Sequence, residues 1–252
     1  MQLNKASEIL KKNLEFPYCS ASAYYNFDGQ KISDNFGGNC CEQAEKLKKD
    51  LEKFGIEAKY IDDFTVGRHR SIIMKGDDGD YYLSPYLMQE KAILLTENIQ
   101  EDILVHPFIG DKSGILKISK KDNILNVTKL WPNSYRKDIF SYDINKLIND
   151  DLSLENHISR VIHPEQTTLS IRVIDFENTD VLHYIFDFKS NKIYTLSSKG
   201  RFYIGTKEFD ETLKKIANII DSSPSEIQDF IHGAYKIREK ILKHFDIKNI
   251  SL

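Results

Sequence analysis

The apolar residues of this chain change period twice, and that pattern limits the fold more than any other feature. From residue 1 to about 64 they recur at helical spacing, from about 65 to 206 they fall in short β-branched and aromatic runs, and from 207 to 252 helical spacing returns. The clearest helix begins near residue 40. Ala44, Leu47, Leu51 and Phe54 make one apolar stripe, and Gly55 stands just past it, where a C-capping glycine belongs. Near the end, Ser223 and Glu226 form a capping box with Pro224 at the first helical position. Ile227, Phe230, Ile231, Ala234 and Ile237 carry the apolar face of the helix that follows.

Between the helical regions, "EAKYI" (57–61), "HRSIIMK" (69–75) and "DYYLS" (80–84) predict strands, the last two joined by the turn "GDDG" (76–79). Further on, "TTLSIRVI", "VLHYIFDF", "KIYTL" and "RFYIG" alternate as an antiparallel sheet or barrel does, with "KSNK" as a turn. The expected architecture is α+β in three consecutive parts. Residues 1–64 form an N-terminal helical bundle, 65–206 a central antiparallel β-barrel or sheet, and a C-terminal α/β lid has its helical part at 207–252.

Hydrophobic content of 40% and charged content of 29% are those of an ordinary soluble domain. A net charge of −3 makes no electrostatic case for nucleic acid or an anionic membrane. No stretch approaches the roughly 20 apolar residues of a membrane span, and the lysine-rich start lacks the apolar core of a secretory signal. Cys19, Cys40 and Cys41 are an odd count, and adjacent cysteines rarely bridge each other, so a reducing, cytoplasmic setting is expected. No Cys/His grouping has zinc spacing, and "GDDGD" lacks the ligand pattern of a calcium loop, so no metal is expected.

Two of the three cysteines sit side by side in "GGNCCEQ" (37–43), at the start of the predicted helix. A thiol there faces unpaired backbone N–H groups and the positive end of the helix dipole, and both favour the thiolate. The glycines let the chain turn sharply and approach a substrate. The plainer role for such a pair is as small buried hydrophobes. A nucleophilic thiol needs an imidazole beside it. His69 opens the next strand but one, and Ser84 ends its hairpin partner, so helix start and hairpin can bring Cys40, His69 and Ser84 together.

"GGNCCEQ" resembles the arylamine N-acetyltransferase motif R-G-G-x-C-x-E. The match makes Cys40 the nucleophile and Glu42 the motif's acid, with Phe36 where the family has arginine. His69 resembles the family's histidine. "YYLSPYLM" resembles the strand that ends in Asp-Val-Gly, with Ser84 at the aspartate. "RFYIGTKEFDETLKKIANIIDSSPSEI" resembles the family's closing strand and helices. The order Cys, His, acid is shared with transglutaminase-like and, more distantly, papain-like proteins.

The resemblance implies a cysteine-dependent acyltransferase with a cysteine-proteinase-like core. Cys40 takes an acyl group from a thioester donor, His69 handles the protons and Ser84 orients His69, and the Cys41 backbone N–H is the oxyanion donor. No cofactor is bound permanently; acyl-CoA or an acyl-carrier protein is the co-substrate, and a small-molecule amine the acceptor. Gly38, Glu42, Lys199 and Arg201 are the candidate substrate- or cofactor-contacting residues. Three departures stand out: Ser84 for the carboxylate, "SPYLMQEKAILL" for the family's glycine-rich segment lining the acyl-CoA pocket, and the lost arginine. Asp80 shares Ser84's strand face but lies four residues away. The alternatives are a thiol hydrolase or transglutaminase-like enzyme acting on amides, and a non-catalytic descendant that binds a ligand in the old pocket. Cys19 and His183 read as structural, and His157, Arg160 and His163 as loop decoration.

Overall fold

A computed structural model describes residues 2–30, 32–65, 69–108, 113–132, 137–151 and 166–244. In chain order the elements are α1 (Gln2–Asn13), β1 (Tyr18–Cys19), α2 (Ser22–Phe27), α3 (Cys40–Glu52), β2 (Ala58–Asp62), β3 (Arg70–Gly76), β4 (Gly79–Leu83), β5 (Ile93–Leu94) and β6 (Gln100–Val105). There follow β7 (Gly114–Lys121), β8 (Ile124–Leu130), β9 (Lys137–Asp143), β10 (Thr168–Asp175), β11 (Asp180–Asp187), β12 (Lys192–Ser197), β13 (Gly200–Tyr203), α4 (Lys207–Ile219) and α5 (Pro224–His244). The strands make three antiparallel sheets, in the orders β1-β10-β11-β12-β13, β2-β3-β4-β5 and β6-β7-β8-β9.

The chain divides into two compact units built from interleaved segments. The first comprises Met1–Phe16, Cys40–Asp151 and Phe176–Asp180, the second Pro17–Asn39, Leu152–Asp175 and Val181–Leu252.

In the first unit the alternation of β2, β3 and β4 gives their sheet two apolar faces. Tyr60, Ile72, Met74, Tyr81 and Leu83 pack with Ala6, Ile9 and Leu10 of α1 and Ala44, Leu47 and Leu51 of α3. Ile61, Ile73 and Tyr82 pack on the other side with Leu116, Ile118, Leu125, Val127 and Tyr142 of the β6–β9 sheet. Each leucine buried in this way contributes about 1.5–3 kcal/mol. The expected N-terminal helical bundle is therefore corrected: α1 and α3 use their stripes to cover a sheet face. Phe54, counted in the α3 stripe, lies beyond the helix end at 58% exposure, with the Lys5 ammonium over its ring. Gly55 takes the positive φ of a capping glycine, +70°.

In the second unit α2, α4 and α5 cover one face of the five-stranded sheet. Tyr24, Leu169, Ile171, Tyr184, Phe209, Ile216, Ile231 and Ala234 lie in one core. The capping box forms as read, with Ser223 N–H to Glu226 Oε2 at 2.7 Å and Glu226 N–H to Ser223 Oγ at 3.2 Å. The expected barrel is also corrected, because no closed barrel forms among the described residues. The strands of 65–206 fall into separate meanders, each with its own edges, and the first and last strands of the region do not pair.

Candidate active site

The chain approaches α3 through a turn that only glycine fits. Gly37 has φ 76° and ψ −155°, and a Cβ there would lie 2.0 Å from the Pro17 carbonyl oxygen. The next residue is tied on both sides: Gly38 N–H donates to Pro17 O at 3.0 Å, and Gly38 O accepts from Cys19 N–H at 2.8 Å. Gly38 thus has a backbone role. Phe36, at the family's arginine position, stacks on Phe230 with ring centroids 4.2 Å apart.

Cys40 is the first residue of α3 and partly exposed, whereas Cys41 and Cys19 are fully buried, and none of the three is in a disulfide. His69 precedes β3 directly. Its carbonyl accepts from Asp63 N–H at 2.9 Å, and its ring, 2% exposed, packs against Phe140 and Tyr86 at centroid distances of 4.2 and 4.8 Å. Nε2 lies 3.3 Å from Ser84 Oγ and 3.1 Å from Ser71 Oγ. Nδ1 is buried without a hydrogen-bond partner. With Nε2 committed to the serines, Nδ1 is the ring nitrogen left open to a second partner. The Cys40 thiol is held well below its ordinary pKa, chiefly by a hydrogen bond from the Cys41 thiol. Burial opposes that shift, and the neighbouring His69 and the Arg70 N–H add to it.

Strand register decides which polar residue meets His69. Ile72 pairs with Leu83, so the preceding and following residues, Ser71 and Ser84, face each other at the end of the hairpin. Asp80 pairs with Lys75 near the turn. Lys75 is six residues from His69, roughly 20 Å along a strand, and the structure does not bring Asp80 to the imidazole.

Behind His69 stands a cluster of hydroxyls. Ser71 Oγ lies 2.9 Å from Tyr82 OH and 3.2 Å from Tyr142 OH, and the two phenols are 3.3 Å apart. Burial pushes Tyr82 up to about 12 and Tyr142 well above its ordinary value, so both stay protonated at neutral pH. The buried carboxylate whose charge reaches both phenols is Asp63, and its Oδ1 accepts from Thr65 N–H, Thr65 Oγ1 and Ser141 N–H at 3.2, 2.7 and 2.9 Å. No sequence signal points to Tyr142, because β9 enters from a different sheet. Ser71 was within reach, being two residues from His69 on the same strand face.

Glu42 is half-buried on the first turn of α3. Lys199 lies in the tight, exposed turn between β12 and β13, in the second unit, and Arg201 stacks on Tyr194 with its guanidinium 4.5 Å from the ring centre. After Ser84 the chain makes a 3-10 turn (Pro85–Leu87) and then runs through the core, with Leu87, Met88 and Gln89 at most 2% exposed. His183 is buried in β11. His157, Arg160 and His163 lie outside the described residues. Among the described residues no group of three or more His, Cys, Asp or Glu is placed to hold a metal ion, and no helix is long and apolar enough to cross a membrane.

No family model matches the sequence, and no curated protein matches it significantly. Solved structures do match the fold. The M. smegmatis arylamine N-acetyl transferase superposes with a TM-score of 0.56 at 12% identity, over 92% of this chain and 90% of its own. The arylamine N-acetyltransferase from Salmonella typhimurium gives 0.53 at 8% identity, over 86% of each chain. That from Mycobacterium abscessus gives 0.53 at 10% identity, over 86% of this chain and 87% of its own. At such identities the likeness establishes a shared fold.

Proposed function

We propose that the protein is a cysteine-dependent acyltransferase. The observation that carries this reading is the pairing of Cys40, a depressed-pKa thiol at a helix start, with a buried His69 held through Nε2 by serine hydroxyls. The Cys40 thiolate attacks the carbonyl carbon of a thioester donor, and the Cys41 N–H, in the first helical turn, faces the oxyanion. Collapse breaks the donor C–S bond, and protonated His69 returns a proton to the departing thiolate. An amine acceptor then attacks the Cys40 thioester, loses its proton to His69, and leaves as the amide while the thiol is restored.

The donor is an acyl-CoA or an acyl group on a carrier protein. The core-buried run from Leu87 to Gln89, where the family has glycine-rich sequence, favours the carrier. Intact-protein mass after incubation with a panel of acyl-CoA and acyl-carrier thioesters tests the reading. One acyl group on the wild type and none on Cys40→Ala is the expected result. A protein that no thioester charges, but that releases ammonia from amides, is instead a thiol hydrolase or transglutaminase-like enzyme.

The lowered Cys40 pKa sets the direction of a pH effect. The thiolate persists to lower pH than in a free thiol, and iodoacetamide labelling should fall only as the pH drops through a folded value that lies below the roughly 8.5 of a free thiol. Ser84→Asp should move that midpoint lower still. Ser84 is fully buried and already 3.3 Å from Nε2, so the new carboxylate meets the ring and favours imidazolium. The gain is the difference between a neutral hydrogen bond, about 0.5–1.5 kcal/mol, and a charged one, about 1.5–3. An unmoved labelling profile in Ser84→Asp rejects Ser84 as an orienting group.

A further inference from the structure

We propose that Ser71 is a positioning residue of this site: its hydroxyl ties His69 Nε2 to the buried tyrosine pair, so that a closed ring of neutral dipoles holds the imidazole in one tautomer. The inference deepens the acyl-transfer reading and rests on it. Ser71 is fully buried, and its oxygen is nearer the ring nitrogen than that of Ser84, 3.1 against 3.3 Å.

The hydrogen count fixes the polarity. A serine hydroxyl has one proton to give and two lone pairs to receive, and a tyrosine hydroxyl gives one. Ser71, Tyr82 and Tyr142 lie within 2.9, 3.2 and 3.3 Å of one another. One proton in each gap closes a ring: Ser71 donates to Tyr142, Tyr142 to Tyr82, and Tyr82 to Ser71. Ser71 keeps one lone pair, which receives a proton from Nε2–H. When Ser71 instead donates to an unprotonated Nε2, only the two phenol protons remain for the three oxygen–oxygen gaps, and one pair of oxygens 2.9–3.3 Å apart is left with no proton between them. The closed ring therefore selects Nε2–H and leaves the Nδ1 lone pair to take the thiol proton.

Ser84 Oγ, 3.3 Å from the same nitrogen, is the second acceptor facing Nε2–H. Burial keeps both phenols protonated, so the ring persists at neutral pH. The titratable groups around it are Cys40 and Cys41 from α3, Arg70 from β3, Tyr82 from β4, Tyr86 from the turn after it, Tyr142 from β9 and Asp63 just after β2.

The test measures the pH profile of Cys40 alkylation by iodoacetamide in the full chain, together with the imidazole nitrogen chemical shifts of His69, assigned against His69→Gln. The wild type should show the Nε2–H tautomer. Ser71→Ala should slow alkylation at neutral pH by about tenfold and mix the tautomers. Tyr142→Phe opens the ring but keeps Ser71, and should give a smaller change in the same direction. A Ser71→Ala protein with the wild-type profile and a single tautomer overturns the proposal. Should Ser71→Ala not fold, Tyr82→Phe and Tyr142→Phe decide, and wild-type behaviour in both overturns it. A wild-type Cys40 no faster than free cysteine overturns the acyl-transfer reading instead, while the tautomer of His69 still decides the role of Ser71.

Discussion

Cys40→Ala is expected to lose acyl transfer altogether, by about 10⁴-fold or more, because loss of a nucleophile leaves only binding and the oxyanion donor. Cys41→Ala should keep a working enzyme. It retains the backbone N–H and removes only the S–H that supports the Cys40 thiolate. A thiol is a weak donor, so the cost should be about tenfold at neutral pH, with the alkylation midpoint moved upward. Peptide mapping after brief iodoacetamide treatment should find the label on Cys40, which is partly exposed, before the fully buried Cys41. A dead Cys41→Ala beside an active Cys40→Ala would place the nucleophile one residue later and reverse the two roles.

Gly37→Ala should produce the largest loss of stability of any single methyl added to this chain's described glycines. Its φ of 76° with ψ of −155° is a region essentially confined to glycine, at a cost of about 1–3 kcal/mol for any other residue. The added carbon would stand 2.0 Å from the Pro17 oxygen, a backbone atom that cannot swing aside. Relief requires breaking the Gly38 N–H bond to the same oxygen, a further 1 kcal/mol or so. These two costs alone come to about 2–4 kcal/mol before the clash itself, a large share of the roughly 5–15 kcal/mol that holds a typical domain. Urea denaturation should show a collapsed midpoint or no folded state. A Gly37→Ala protein within about 1 kcal/mol of the wild type would mean that the turn before α3 is built differently. By contrast, Gly29 has a positive φ but nothing within 4 Å of a new Cβ, so alanine there meets only the conformational term.

Local chemistry was enough to read much of this protein. The α3 stripe through Leu51 and the Ser223–Glu226 box depend on neighbours within a few residues, and the structure shows both. The β3–β4 hairpin depends on a two-residue turn between Gly76 and Gly79, and its register follows from that turn. Because the register puts the ends of the hairpin side by side, the proximity of His69 and Ser84 was also legible, and they lie 3.3 Å apart. Phe54 shows the limit of the same reasoning, since period alone could not say that the helix stops at Glu52 and leaves the ring outside.

What local chemistry could not show is which surface covers which. The α1 and α3 stripes require an apolar partner, but nothing in their spacing says whether it is another helix or a sheet face, and here it is the β2–β5 sheet. Strand alternation says that two faces exist without saying whether the edges meet, so a barrel and separate meanders read alike until the sheets are assembled. The same holds at the site. The sequence by itself determined a cysteine at a helix start and a histidine within a hairpin's reach of a serine. Only the tertiary structure decided that Tyr142, from another sheet, closes a hydroxyl ring with Ser71 and Tyr82 behind that histidine. The physical reason is range: helix caps, turns and hairpin registers are settled by bonds between near neighbours, whereas the partners of a buried face or a buried hydroxyl are chosen by the packing of segments far apart in the chain.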